Sequence, residues 1–196
     1  LTSAEAAQIS VAQIAQISAD NLSKMAVDAA SSLSTSTIRA INATQLAKLS
    51  TDQIAGLTTQ QVAALDTAVI KSLTSAQIKA LTTAQIDALT TAALTQLTVD
   101  QIASLNTSQL PGLNTAEINA LTNAQFKAMT TDQFSNLSTA QIRAISTGNM
   151  AVMETADLRA LTTAEIAALT SAQWNALTET QVVALTTSQV NTIEAS

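Results

Sequence analysis

LTSAQIKA and LTTAQIDA, residues 73–88, are two consecutive copies of one eight-residue unit: apolar, Thr, Ser or Thr, Ala, Gln, Ile, polar, Ala. Working outward in both directions, the unit continues without an insertion or deletion. Cut at Leu1, Ile9, Ile17, Met25 and onward, the 196 residues hold 24 octapeptides and a four-residue stub, Ile193 to Ser196. A strict short period marks a repeat architecture and governs every later inference.

Each unit spells out a helix start. The first position is always Leu, Ile or Met, and the sixth is apolar throughout, small only at Ala6 and Ala30. The second is Ser, Thr, Asn or Asp in 22 of 24 copies, and the fifth is Gln or Glu in 17 of 24. A Thr or Ser N-cap accepts the N3 amide while Gln or Glu at N3 reaches back to the cap amide, and apolar residues at N′ and N4 close a hydrophobic staple. In repeat 81–88 the cap is Thr82, the box residue Gln85 and the staple Leu81 with Ile86. In repeat 161–168 the cap and box fall to Thr162 and Glu165. Charge fixes the polarity. All eight basic residues sit at positions seven or eight, and thirteen of the fourteen acidic residues at positions two to five, Asp87 excepted. This is the distribution that the helix dipole favours.

These signals predict an all-α solenoid or superhelix of very short helices, one per octapeptide. In one continuous helix, at roughly 100° per residue, eight residues would turn the apolar stripe by about 80° per repeat and bury nothing consistently. In a strand, positions one and six would face opposite sides, and Ala and Gln are poor strand formers. Helices this short are unstable alone and must stack. The expected core is the first and sixth positions, with Leu81, Ile86, Phe126, Phe134 and Trp174 as its larger members. Small residues occupy position four in 16 of 24 copies and position eight equally often, which predicts close helix approach at both. Pro111 and Gly112 predict a shortened helix or a bend, because Pro lacks an amide and disfavours a helical residue before it.

The unbroken phase reads as a single repeat domain, 1–196. It begins in phase and stops four residues into a repeat, so a segment of a longer array is expected, continued covalently or stacked end to end through the apolar ends at Leu1 and Ile193. No apolar run approaches the ~20 residues of a membrane helix. Net charge is −6, which argues against nucleic-acid binding.

The chain has no His, Cys or Tyr. A Ser or Thr nucleophile would lack its usual base, and no enzyme activity is expected. Carboxylates lie near one another at Glu154, Asp157 and Glu165 and at Asp20 and Asp28, but each has a structural reason to be acidic at a helix start. No calcium-loop motif is present, so no catalytic, cofactor or metal residue is assigned. Threonines at position three, such as Thr59, Thr83, Thr131, Thr139 and Thr163, have no capping role. Their row reads first as a solubilising surface; the alternative is a solvent-facing hydroxyl array suited to ice or to O-linked sugars.

On these LTTAQI-type units, the whole chain resembles octapeptide tandem-repeat segments of large bacterial exported or cell-surface proteins. The resemblance implies a structural protein forming an extended rod, stalk, adhesive array or fibre, at the cell surface or extracellular. The alternatives are a solenoid that binds a peptide or glycan and an ice-binding surface built on the threonines.

Overall fold

A computed structural model describes the backbone of residues 2–194 and the side chains of residues 2–192. Among the described residues every regular element is helical, and nearly all are α-helices of four to six residues. Repeat 81–88 shows how one unit is made. Leu81 and Thr82 are extended, at φ −61°, ψ 137° and φ −75°, ψ 161°. Thr83–Asp87 is α-helical, with Ala88 closing it at φ −79°, ψ −12°. Thr90, at φ −78°, ψ 152°, then repeats the extended cap of the next unit. Two extended residues and one and a half helical turns therefore use up the octapeptide. No described residue has a positive φ, so the helices are joined without the left-handed glycine that commonly ends a helix.

By packing, the chain forms two compact units, Leu1–Leu105 and Asn106–Ser196. In the first, each helix packs on the one three repeats later: Ser3–Ala6 on Val27–Ser32, and Thr35–Arg39 on Thr59–Ala64. The second follows the same rule, with Thr115–Ala120 on Thr139–Ala144 and Thr163–Ala167 on Thr187–Glu194. Within each unit the backbone winds as a coil of short helices, as the octapeptide predicts. The core of each is the interior of the coil. Phe126 and Phe134, in adjacent repeats, meet there edge to face with centroids 5.0 Å apart.

Burial follows one formula through most repeats. Positions one, five and six are buried, and positions two, three, four and seven face solvent. Two sequence expectations change as a result. Position four is exposed, as at Ala84 and Ala164, so its small residues do not admit a neighbouring helix. Position eight does face a close neighbour. A Cβ on Gly56 would lie 2.6 Å from Val27 Cγ1, 29 residues earlier. The reason for the difference is angular: on a helix of 3.6 residues per turn, position eight falls beside position five, which points to the preceding turn of the coil.

The segment around Pro111 and Gly112 winds as a six-residue 3-10 helix, Thr107–Gly112. In an α-helical repeat such as 129–136 the residue at position seven donates its amide four residues back, Ser135 N–H to the Thr131 carbonyl at 3.0 Å. Pro111 has no amide to give, so that four-residue bond is missing and the segment is 3-10; the closing bond from Leu113 N–H to the Leu110 carbonyl, 3.0 Å, is the one other repeats also make. Leu1 and the side chain of Ile193, which carry the expectation about apolar ends, lie outside the described residues.

Candidate functional site

The polar feature that joins coil turns in both units is a buried side-chain amide at position five. Gln85 Oε1 accepts the Thr82 amide at 2.8 Å, and its own backbone N–H donates to Thr82 Oγ1 at 3.2 Å. The capping box is therefore present. The rest of the side chain does something else. Gln85 Nε2 donates to the carbonyls of Ile54 at 3.0 Å, Ala55 at 3.2 Å and Leu57 at 2.7 Å, between 28 and 31 residues earlier. These are carbonyls at the end of the helix Thr51–Ala55, where orphan acceptors and the negative end of the dipole need a donor. One amide thus caps its own helix at the start and a helix of the preceding coil turn at the end. Its orientation follows from this network, since a flipped amide would set oxygen against two carbonyls.

The same bonding holds at Gln45, Gln53, Gln61, Gln77 and Gln101 in the first unit, always to carbonyls 28 and 31 residues back. In the second unit it holds at Gln141, Gln173, Gln181 and Gln189. Sequence reasoning assigned position five only to the capping box. A signal was available: the box accepts Gln or Glu, and a helix start favours the acid, yet 14 of the 17 are Gln. The excess of the neutral amide reports the need for a donor.

Departures from Gln are informative. Thr37 Oγ1 makes one inter-turn bond, to the Ile9 carbonyl at 2.9 Å. Asn149 is one methylene shorter; its Nδ2 reaches only the Leu121 carbonyl at 2.9 Å, and its Oδ1 is buried without a partner. Val69 and Ala93 bring no amide. Glu165 keeps the box with Thr162, accepting the cap amide at 2.6 Å, but its carboxylate has no proton to give the preceding turn. Asp157 is buried and accepts the Thr131 hydroxyl at 2.7 Å. Burial pushes its carboxyl above the usual range, the Thr131 bond opposes this, and Glu154 adds to the rise.

The remaining sequence-assigned residues separate by position. Leu81, Ile86, Phe126 and Phe134 are buried. Trp174, assigned to the core, is only half-buried, because no later turn among the described residues packs over it. Thr83, Thr131, Thr139 and Thr163 face solvent and Thr59 is half-buried. The acidic residues do not converge: Asp28 accepts the Ser3 hydroxyl at 3.0 Å and Asp20 pairs with Lys48 at 3.5 Å on the surface. Among the described residues no three His, Cys, Asp or Glu side chains gather in a way that would hold a metal ion. No helix among them is long and apolar enough to cross a membrane. An open groove in the second unit, past Pro111, Leu113, Ser135 and Leu137, has no ionisable side chain in its lining.

A family model described as ALTTAQ repeat matches residues 31–59, 59–91, 102–139 and 150–187, more than half of the chain. The chain belongs to the ALTTAQ repeat family. Residues 80–85 spell that hexapeptide outright, and its final residue is the inter-turn Gln85. Each ALTTAQ match spans between three and five octapeptides, close to the 28 to 31 residues that separate bonded coil turns. No curated protein matches the chain.

Proposed function

We propose that this ALTTAQ chain is a structural array, a rod, stalk or fibre element at the bacterial cell surface or outside the cell. The observation that carries this reading is the inter-turn amide. Polar groups that an enzyme or receptor would direct at a ligand are spent on holding one turn to the next, in both units and over most of the length. The exposed positions hold mainly Thr, Ser and Ala, a surface suited to solubility. We extend the proposal to the absence of catalysis, since the acidic residues already serve as caps, inter-turn acceptors and surface charges. Immunogold electron microscopy of the native host tests the reading. Label on surface projections or extracellular fibres is the expected result, and label confined to the cell interior would overturn it.

A second reading rests on the solvent-facing threonines Thr83, Thr139 and Thr163. Solvent-facing hydroxyls recurring at position three within a unit would suit an ice-binding surface. Thermal hysteresis at millimolar protein tests it, and growth of unshaped ice crystals would remove it.

A further inference from the structure

We propose that Asp157 is a proton-operated latch between coil turns of the second unit. Ionised, its side chain accepts the Thr131 hydroxyl; protonated, it donates to the Met129 carbonyl instead. The latch goes beyond the structural-array reading and does not depend on it.

Asn149 and Asp157 hold position five of adjacent repeats. Each is the third residue of its helix, Thr147–Val152 and Thr155–Ala160, and each is buried. The two side chains have the same length and nearly the same shape, and they differ in what they can give. Asn149 Nδ2 donates to the Leu121 carbonyl, 28 residues back, at 2.9 Å. The equivalent carbonyl for Asp157 is that of Met129. A carboxylate is an acceptor only, so it has nothing to offer that oxygen. Asp157 Oδ1 takes the Thr131 hydroxyl, 26 residues back, at 2.7 Å. Asn149 thus shows the pose of a donor at this position, and Asp157 the pose of an acceptor.

A proton on Asp157 supplies the missing donor. The carboxylic acid has one O–H, and the pose that Asn149 adopts then serves it as well. The two partners belong to different helices. Met129 closes the helix Asn123–Ala128, and Thr131 is the first residue of Thr131–Phe134. Protonation therefore moves the attachment of Thr155–Ala160 from the start of one helix to the end of the helix before it. There it meets a helix-end carbonyl, the kind of acceptor that Gln amides bond in other repeats.

The surroundings favour the proton. Burial pushes the Asp157 carboxyl above its ordinary value, the Thr131 bond opposes this, and Glu154 adds to the rise. The other charged groups on its own helix and on the helices packed against it are Arg159, Asp132 on Thr131–Phe134 and Glu179 on Glu179–Val183, and all three side chains are exposed.

Carbonyl-carbon NMR of the full chain, recorded as pH falls from neutral into the acid range, tests the latch. The Asp157 side-chain carboxyl and the Met129 backbone carbonyl should titrate with one midpoint, above the ordinary aspartate value of 3.8. The Leu121 carbonyl, which Asn149 already bonds, should stay fixed. In Asp157→Asn the Met129 carbonyl should keep its acid-form shift at every pH, and the introduced amide should exchange as slowly as that of Asn149. Thr131→Val removes the hydroxyl at an exposed site and should raise the midpoint by about one pH unit, since a hydrogen bond to the charged form holds a carboxyl down. Thr131→Ser keeps the hydroxyl and should stay near the wild type, with circular dichroism checking that both variants retain helix. An Asp157 carboxyl that titrates while Met129 stays still would overturn the latch. So would a Thr131→Val midpoint at or below the wild-type one, or an Asp157→Asn amide that exchanges as freely as a solvent-exposed one.

Discussion

At the scale of the residue, position five decides more than position two. A lost N-cap costs about 0.5–2 kcal/mol, so Thr82→Ala should fall in that range. Read as a cap-box partner alone, Gln85 would matter less than Thr82. The structure reverses the order: Gln85→Ala strands the Thr82 amide and the Ile54 and Leu57 carbonyls together, and unmet buried groups cost about 1–3 kcal/mol. Urea unfolding should rank Gln85→Ala as the larger loss. Gln85→Glu, which keeps the cap bond and removes the donors, should be intermediate; equality of Gln85→Glu with wild type would show that the inter-turn bonds contribute nothing. Asp157 gives the pH counterpart. Burial raises its folded pKa above the unfolded value of 3.8, so its favourable contribution is complete below that value and is lost as pH rises through the raised one. Asp157→Asn should therefore melt above wild type at pH 7, with the gap closing by pH 3. A constant gap would detach the effect from this carboxyl.

At the scale of the element, the helix and its start were legible and the helix's neighbour was not. The cap, box and staple lie within six residues, so a local reading finds Thr82, Gln85, Leu81 and Ile86. The partner of Gln85 Nε2 lies 28 to 31 residues away. Reaching it requires the angle between successive helices, which the two extended link residues set and no spacing in the sequence reveals. The same ignorance hid which small position matters: Ala84 and Gly56 look alike as small residues, and only the coil's pitch brings Gly56 against Val27. That contact makes a coupled prediction. Replacing a helical Gly by Ala gains about 0.5–1 kcal/mol from the backbone, and Gly56→Ala should show that gain in a Val27→Ala background. In the wild type, the added Cβ meets Val27 Cγ1 at 2.6 Å, and the gain should shrink or change sign. Additivity in the double-mutant cycle would mean that the two positions do not touch. Pro111 was legible as a disturbance, whereas its outcome, a tightened 3-10 helix, depends on the bonds that neighbouring residues supply.

At the scale of the whole molecule, each turn is held chiefly by the turns beside it, so stability should be nearly a sum of local parts. Amide hydrogen exchange should then be graded within each unit. The helix Val11–Gln16 should exchange faster than Thr51–Ala55 in the first unit, and Glu179–Val183 faster than Thr139–Ala144 in the second; uniform protection would indicate a single cooperative block. The octapeptide phase was readable across all of 1–196, but the division into two compact units was not, since no break in the pattern accompanies Leu105. The joints without positive φ have a consequence for how such a chain can vary in length. Each link asks for two ordinary extended residues and no specialised one, so a duplicated or deleted octapeptide brings its own joint with it. Every downstream glutamine then still meets a sixth- and a first-position carbonyl, merely those of a different copy. Change in steps of eight slides the pattern along itself. A single inserted residue instead misplaces every amide that has to reach back across the insertion, a fault about one turn long.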